Sequence, residues 1–283
     1  MSFRISIMGL GLMGASLAAA LKGFRDTAIV GMDIDPTVRQ KAVAAGVVTE
    51  AFATAAQAAR DADLIVFCVY AHHIPALLAD CRDFCKPGAV LTDICGVKGA
   101  LYAQLANLLP EQADYIGVHP MAGKERDGFD NADPAIYRGS GFIICPLPNT
   151  RPASIALMEE LALHIGVNPA RLTVAPYDKH DEIIAYTSDL MHISAAALCM
   201  DFHPDMTSAF TAGAFRDCTR IADINAPAWT ELILSNHQHV GTALDTYIQR
   251  LIQVQAAIQE QNSQKLCSLL EQGGQNKRRL LQR

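Results

Sequence analysis

The turn Gly9-Leu10-Gly11-Leu12-Met13-Gly14 lies between an apolar run over residues 3–8 and a small-residue run from Ala15 to Lys22. Read as strand, turn and helix, this arrangement confines the chain to a sheet whose first strand feeds a helix directly. Gly9 permits the tight turn, and Gly11 lets a pyrophosphate approach the backbone. Gly14 lets helix and strand pack closely, while N–H groups at the helix start face the phosphate charge. Glycines alone often only make turns, so the next strand matters. It runs over residues 28–33 and ends on Asp33, nineteen residues after Gly14. A carboxylate there can accept hydrogen bonds from the adenosine ribose hydroxyls and repel a 2′-phosphate. The plainer alternative is that Asp33 and Asp35 cap the following helix. The candidate cofactor-binding set is therefore Gly9, Gly11, Leu12, Met13, Gly14 and Asp33, with NAD favoured over NADP.

Further strands are expected at 64–69, 89–93, 115–118 and 141–145, with helices between them. Such alternation implies a doubly wound, mostly parallel sheet of the Rossmann type. After Pro146-Leu147-Pro148-Asn149 the texture changes. Apart from a short strand candidate at 172–174, the remainder reads as helix over 178–200, 227–261 and from 263 to the end. The fold class expected is thus α/β, with residues 1–148 as the dinucleotide-binding domain and 149–283 as an all-helical domain. Leu234, Val240, Leu244, Tyr247, Leu251 and Val254 recur at helical spacing. They suit a core or a subunit contact, and the long apolar helices predict a homodimer through this second domain.

A formal net charge of -6 argues against nucleic acid or an anionic membrane as a partner. No apolar run reaches the length of a membrane span, and the N-terminus enters a strand without a signal-peptide pattern. The eight cysteines are scattered without a disulfide framework; Cys81 and Cys85 lack partners at metal-binding spacing, so no metal is expected. These features predict a cytoplasmic protein with reduced thiols. The basic run Lys277-Arg278-Arg279 reads as a solvated helix end.

His119 opens His-Pro-Met-Ala-Gly-Lys-Glu at a strand end, where open α/β sheets place their ligand crevice. There it could be the acid–base partner of a substrate hydroxyl or a structural histidine bonded to a carbonyl. Together with Thr92 to Lys98, Asp178 to Ser188 with trailing His192, Phe215 to Ala222 and Pro227-Ala228-Trp229, this segment resembles the prephenate/arogenate dehydrogenase family. The resemblance runs in order along nearly the whole chain. It implies NAD-dependent oxidative decarboxylation of prephenate to 4-hydroxyphenylpyruvate in tyrosine biosynthesis, or arogenate as substrate in its place. It also implies that His119 is the catalytic base bonded to the ring hydroxyl and that Arg220 binds a substrate carboxylate. His192 would be a second polar contact, Glu125 and Asp217 would arrange the pocket and its access, and Trp229 would pack nearby. A guanidinium fork suits a carboxylate bidentately, although an isolated Arg220 could equally form a surface ion pair.

The chain departs from the family pattern at two positions. Gly96 stands where many members carry Ser, whose hydroxyl can orient the histidine, so another group must fix the imidazole. Asp189 stands where many have His; it could pair with the α-ammonium of arogenate, or face away. Two rival readings are a β-hydroxyacid dehydrogenase, for which Lys179 would have to be the catalytic lysine, and a non-catalytic NAD-binding sensor.

Overall fold

The computed structural model describes residues 3–124, 126–201 and 209–281. Among them an eight-stranded sheet runs in the order β3-β2-β1-β4-β5-β6-β7-β8. Its strands are β1 (Arg4–Met8), β2 (Ala28–Met32), β3 (Glu50–Phe52), β4 (Leu64–Phe67), β5 (Val90–Asp93), β6 (Asp114–Met121), β7 (Gly141–Pro146) and β8 (Leu172–Val174). The strands from β3 to β6 are parallel, β7 is antiparallel to β6, and β8 is parallel to β7. The helices of this layer are α1 (Leu12–Ala20), α2 (Pro36–Ala44), α3 (Ala55–Ala59), α4 (Ile74–Cys81), α5 (Gly99–Leu105) and α6 (Pro152–His164).

Strand alternation divides the core into two layers. Ile5, Ile7, Leu64 and Val66 point into a cluster with Leu17 of α1 and with Leu157, Met158 and Leu161 of α6. Met8, Ile65 and Phe67 point the opposite way, against Leu78 of α4 and Leu101 and Leu105 of α5. Burial on both faces explains why these strands read as continuous apolar runs. The doubly wound expectation is borne out. The sheet layer, however, continues past residue 148, because α6 packs into its core and β8 pairs with β7 through Ile143↔Thr173. The proline-rich segment at 146–149 is therefore a turn within the layer.

Beyond β8 come α7 (Tyr177–Ile184), a π-helical turn at Ala185–Asp189, α8 (Leu190–Leu198), α9 (Gly213–Thr219), α10 (Ala226–Ser235), α11 (His237–Gln259) and α12 (Ser263–Leu281). The single helix expected over 227–261 is broken at Asn236, whose backbone leaves the helical region at φ -115, ψ 23. Neither proline nor glycine marks the break. The Asn236 side chain instead donates to the Asp181 carbonyl at 2.9 Å and to Asp189 Oδ2 at 3.2 Å, so a tertiary contact sets the corner.

The glycine turn is tightly built. Gly9 has φ +97, and a Cβ on Gly14 would lie 1.8 Å from the Gly9 carbonyl oxygen. Gly14→Ala should therefore force the β1–α1 junction apart and cost about 1–3 kcal/mol, as overpacking does. A thermal melt is expected to show a lowered Tm together with weakened dinucleotide binding; an unchanged Tm would show that the junction tolerates the methyl group.

Candidate active site

At the carboxyl edge of β1, the start of α1 carries no side-chain cap, and a Cβ on Gly11 would meet nothing within 4 Å. Free N–H groups beside open space at a helix start suit a pyrophosphate. Leu12 is buried and Met13 packs against the core, so these two offer main-chain groups rather than side chains. Asp33 accepts from Leu10 N through Oδ2 at 2.9 Å and from Asp35 N through Oδ1 at 2.9 Å. The carboxylate is thereby fixed beside the glycine turn. Each of its oxygens keeps a lone pair for a ribose hydroxyl. It is Asp35, accepting from Thr37 N at 2.7 Å, that caps α2. These features fit an adenine dinucleotide.

His119 lies half-buried on β6 with its ring edge-on to His180 of α7. Its Nδ1 is 2.9 Å from His180 Nε2, and His180 Nδ1 is 2.7 Å from Asp181 Oδ1. Asp181 also accepts from Lys98 N at 3.0 and 3.2 Å and from Gly99 N at 2.7 Å, at the start of α5. The chain of bonds sets the tautomers. The Asp181 oxygens already accept from the Lys98 and Gly99 N–H groups, so His180 donates to them from Nδ1, and a neutral His180 accepts at Nε2. His119 must then donate from Nδ1, which leaves its Nε2 as a bare acceptor. Burial, assisted by the neighbouring Lys98 ammonium, holds the His119 pKa well below the ordinary histidine value. His119 is therefore neutral at physiological pH.

The other side of the ring faces Gly96. A Cβ there would lie 3.8 Å from His119 Cε1 and Nε2 and 3.0 Å from Leu232 Cδ1. Leu232 of α10 thus occupies the space beside Gly96, and the imidazole is held from the opposite side by His180. Beneath this pair, Lys98 Nζ donates to Asp93 Oδ1 at 2.5 Å and to the Val118 carbonyl at 2.6 Å, while Tyr115 donates to Asp93 Oδ2 at 2.8 Å. A cavity of about 360 Å³ opens at the ends of β4 and β5, lined by Val69, Cys95, Gly96, Trp229 and Leu232 among others. His72 and Glu231 close one side of it, His72 Nδ1 lying 2.6 Å from Glu231 Oε2.

The remaining candidates are more dispersed. His192 donates from Nδ1 to the Ser188 carbonyl at 3.0 Å and stacks on Trp229 with centroids 3.6 Å apart. Arg220 caps the C-terminus of α9 and, like Asp217 on that helix, is exposed. Glu125 lies outside the described residues. Asp189, expected beside the substrate, is 0% exposed. Its Oδ2 accepts from Asn236, and its Oδ1 has no partner among the described residues. His180, Asp181 and Lys98 carried no expected role; their only sequence signal is that they lie inside the segments that carry the family resemblance.

The model for a prephenate dehydrogenase nucleotide-binding domain matches residues 17–170, and that for a prephenate dehydrogenase dimerization domain matches 176–272. Cyclohexadienyl dehydrogenase of Zymomonas mobilis is 28% identical, over 93% of this chain and 90% of that protein. Prephenate dehydrogenase of Bacillus subtilis is 24% identical, over 93% of this chain and 72% of the other. Among solved structures, prephenate dehydrogenase from A. aeolicus in complex with hydroxyphenyl propionate and NAD+ superposes with a TM-score of 0.87. The two are 25% identical, with 99% of each chain covered. Synechocystis arogenate dehydrogenase gives a TM-score of 0.84 at 26% identity, covering 98% of this chain and 100% of that one.

Burial raises the Asp189 pKa to about 6, with nearby Asp181 adding to the rise and the Asn236 bond opposing it. The folded state therefore holds this proton more tightly than the unfolded chain. The resulting stability is fully present below the ordinary carboxylate range and is lost as pH rises through about 6. In melts from about pH 4 to about pH 7, Asp189→Asn should flatten part of the decline in Tm. An identical pH dependence in the variant would remove Asp189 as its source.

Proposed function

Because the chain belongs to the prephenate dehydrogenase family, we propose that it converts prephenate to 4-hydroxyphenylpyruvate and carbon dioxide. It is an NAD-dependent oxidoreductase. Bound NAD, held by the Gly9 to Gly14 turn and Asp33, supplies the hydride acceptor. The observation that carries the reading is the contact of His119 Nδ1 with His180 Nε2 at 2.9 Å, continued from His180 to Asp181. A neutral imidazole presents bare Nε2, and Nδ1 is committed to His180. His119 can thus take the proton of the ring hydroxyl as the carbon bearing it loses hydride. The ring carboxylate then departs as carbon dioxide, and aromatisation drives the step. His180 and Asp181 act as positioning residues that keep the imidazole in this tautomer.

We assign Arg220 to a substrate carboxylate and His192 to a second polar contact, with Asp217 and Glu125 arranging access. His192 Nδ1 is bonded to the Ser188 carbonyl and its ring stacks on Trp229, which lines the cavity. The burial of Asp189 withdraws the acid that would have paired with the α-ammonium of arogenate, which favours prephenate. NADH formation measured side by side should be faster with prephenate, and faster turnover of arogenate would overturn that preference. His119→Asn should cut turnover by about 10²–10⁴-fold, the usual worth of a positioned base, with NAD affinity nearly intact. Near-normal turnover in that variant would remove His119 from the chemistry.

We place the division between the two domains just after Val174, where the sheet ends. The helical part leaves Leu234, Tyr247, Ile248, Leu251, Ile252 and Ile258 largely exposed, while α11 buries only Val240 and Ala257. An apolar face of this extent suits a second copy of the chain, and the working form is a cytoplasmic homodimer. No helix among the described residues is long and apolar enough to cross a membrane. Light scattering should give twice the chain mass of 30.5 kDa; the single-chain mass at assay concentration would contradict the dimer.

A further inference from the structure

The structure assigns Lys98 as a positioning residue for the catalytic histidine, since this one side chain and its own peptide hold both ends of the His119–His180–Asp181 chain. The assignment rests on the reading of His119 as the base. Lys98 Nζ donates to the Val118 carbonyl at 2.6 Å, and Val118 immediately precedes His119 on β6. The same ammonium is paired with Asp93 Oδ1 at 2.5 Å, with both side chains 0% exposed. The Lys98 main-chain N–H donates to Asp181 Oδ1 at 3.0 Å, at the far end of the relay. One residue therefore fixes the strand that carries the base and the carboxylate that orients it.

A buried ion pair is a poor device for stability alone, because apolar residues of similar volume commonly do as well or better. Here the pair gives two effects that an apolar substitute would lack. It supplies a hydrogen-bond donor to the peptide leading into His119, and it sets a positive charge beside the imidazole. That charge disfavours the imidazolium, adding to the effect of burial. The titratable groups packed around His119 are Asp93 on β5, Lys98 before α5, and His180 and Asp181 on α7. Tyr102 and Tyr115 complete the network as phenols held neutral by burial. From α10 the group nearest Gly96 is the uncharged Leu232.

Lys98→Met leaves Asp93 buried and unpaired, and it should lower Tm. The decisive variant is therefore Asp93→Asn/Lys98→Met, which removes both charges and keeps an acceptor for the Tyr115 hydroxyl. Recovery of Tm in the double variant establishes that a folded enzyme is being read. In it, kcat should fall at least about tenfold, less than the about 10²–10⁴-fold that loss of the base itself costs. KM and the NADH dissociation constant, measured by fluorescence titration, should stay within about twofold. The acidic limb of the kcat/KM profile should move to higher pH, because Lys98 opposes protonation of His119 while Asp93 is not among the groups that shift it. A folded double variant with wild-type kcat and an unmoved limb would overturn the proposal and leave the pair a purely structural one. Equally, a Tm that stays low together with weakened NADH binding would show that Lys98 supports the fold rather than the base. Failure of the underlying reading is visible separately: the acidic limb of the wild-type enzyme would not match the titration of His119 followed by NMR.

Discussion

The site depends on one buried carboxylate. Asp181 receives the His180 imidazole, the Lys98 N–H and the Gly99 N–H, joining α7 to the first turn of α5. Removing a charge from water costs several kcal/mol unless its lone pairs are satisfied, and charge-assisted bonds of this kind are the stronger ones. The same bonds that make the charge tolerable also set an order of protonation. Asp181 accepts, His180 passes the donor–acceptor sense along, and His119 is left with Nε2 bare. Packing between the sheet layer and the helical layer thus becomes a statement about which nitrogen can take a proton.

Burial makes His119 neutral and also a weaker base, so a neutral ring is gained at the expense of proton affinity. The reaction tolerates this. Loss of carbon dioxide and aromatisation supply the driving force, and the imidazole needs chiefly to be aligned and unprotonated when the hydroxyl proton leaves. The missing hydroxyl at Gly96 fits the same picture. Leu232 fills that side with an apolar group, and the orienting bond comes from His180 across the ring.

Local features were legible in the sequence, and long-range ones were not. The glycine turn and Asp33 could be read because fewer than three dozen residues contain the whole strand–turn–helix–strand unit. The alternation of core strands announced the sheet, and His119 stood out by lying at a strand end. The His119–His180 contact joins residues 61 apart, so no periodicity foretells it. The break at Asn236 was hidden because a side chain reaching Asp181 and Asp189 ends the helix, while the local sequence would continue it. The three residues of β3 are too few to show a pattern. The segment 146–149 looked like a domain boundary because prolines mark a turn without saying what packs beyond it. Asp189 drew notice through the family resemblance, and its burial in a π-helical turn against Asn236 is a tertiary feature that the local sequence does not announce.

The tautomer of His119 tests the central claim most directly, and it can be read from nitrogen chemical shifts and long-range nitrogen–proton couplings in ¹⁵N-histidine-labelled protein near neutral pH. The account predicts a neutral ring protonated at Nδ1 with Nε2 bare. A ring protonated at Nε2, or an imidazolium at that pH, would contradict it.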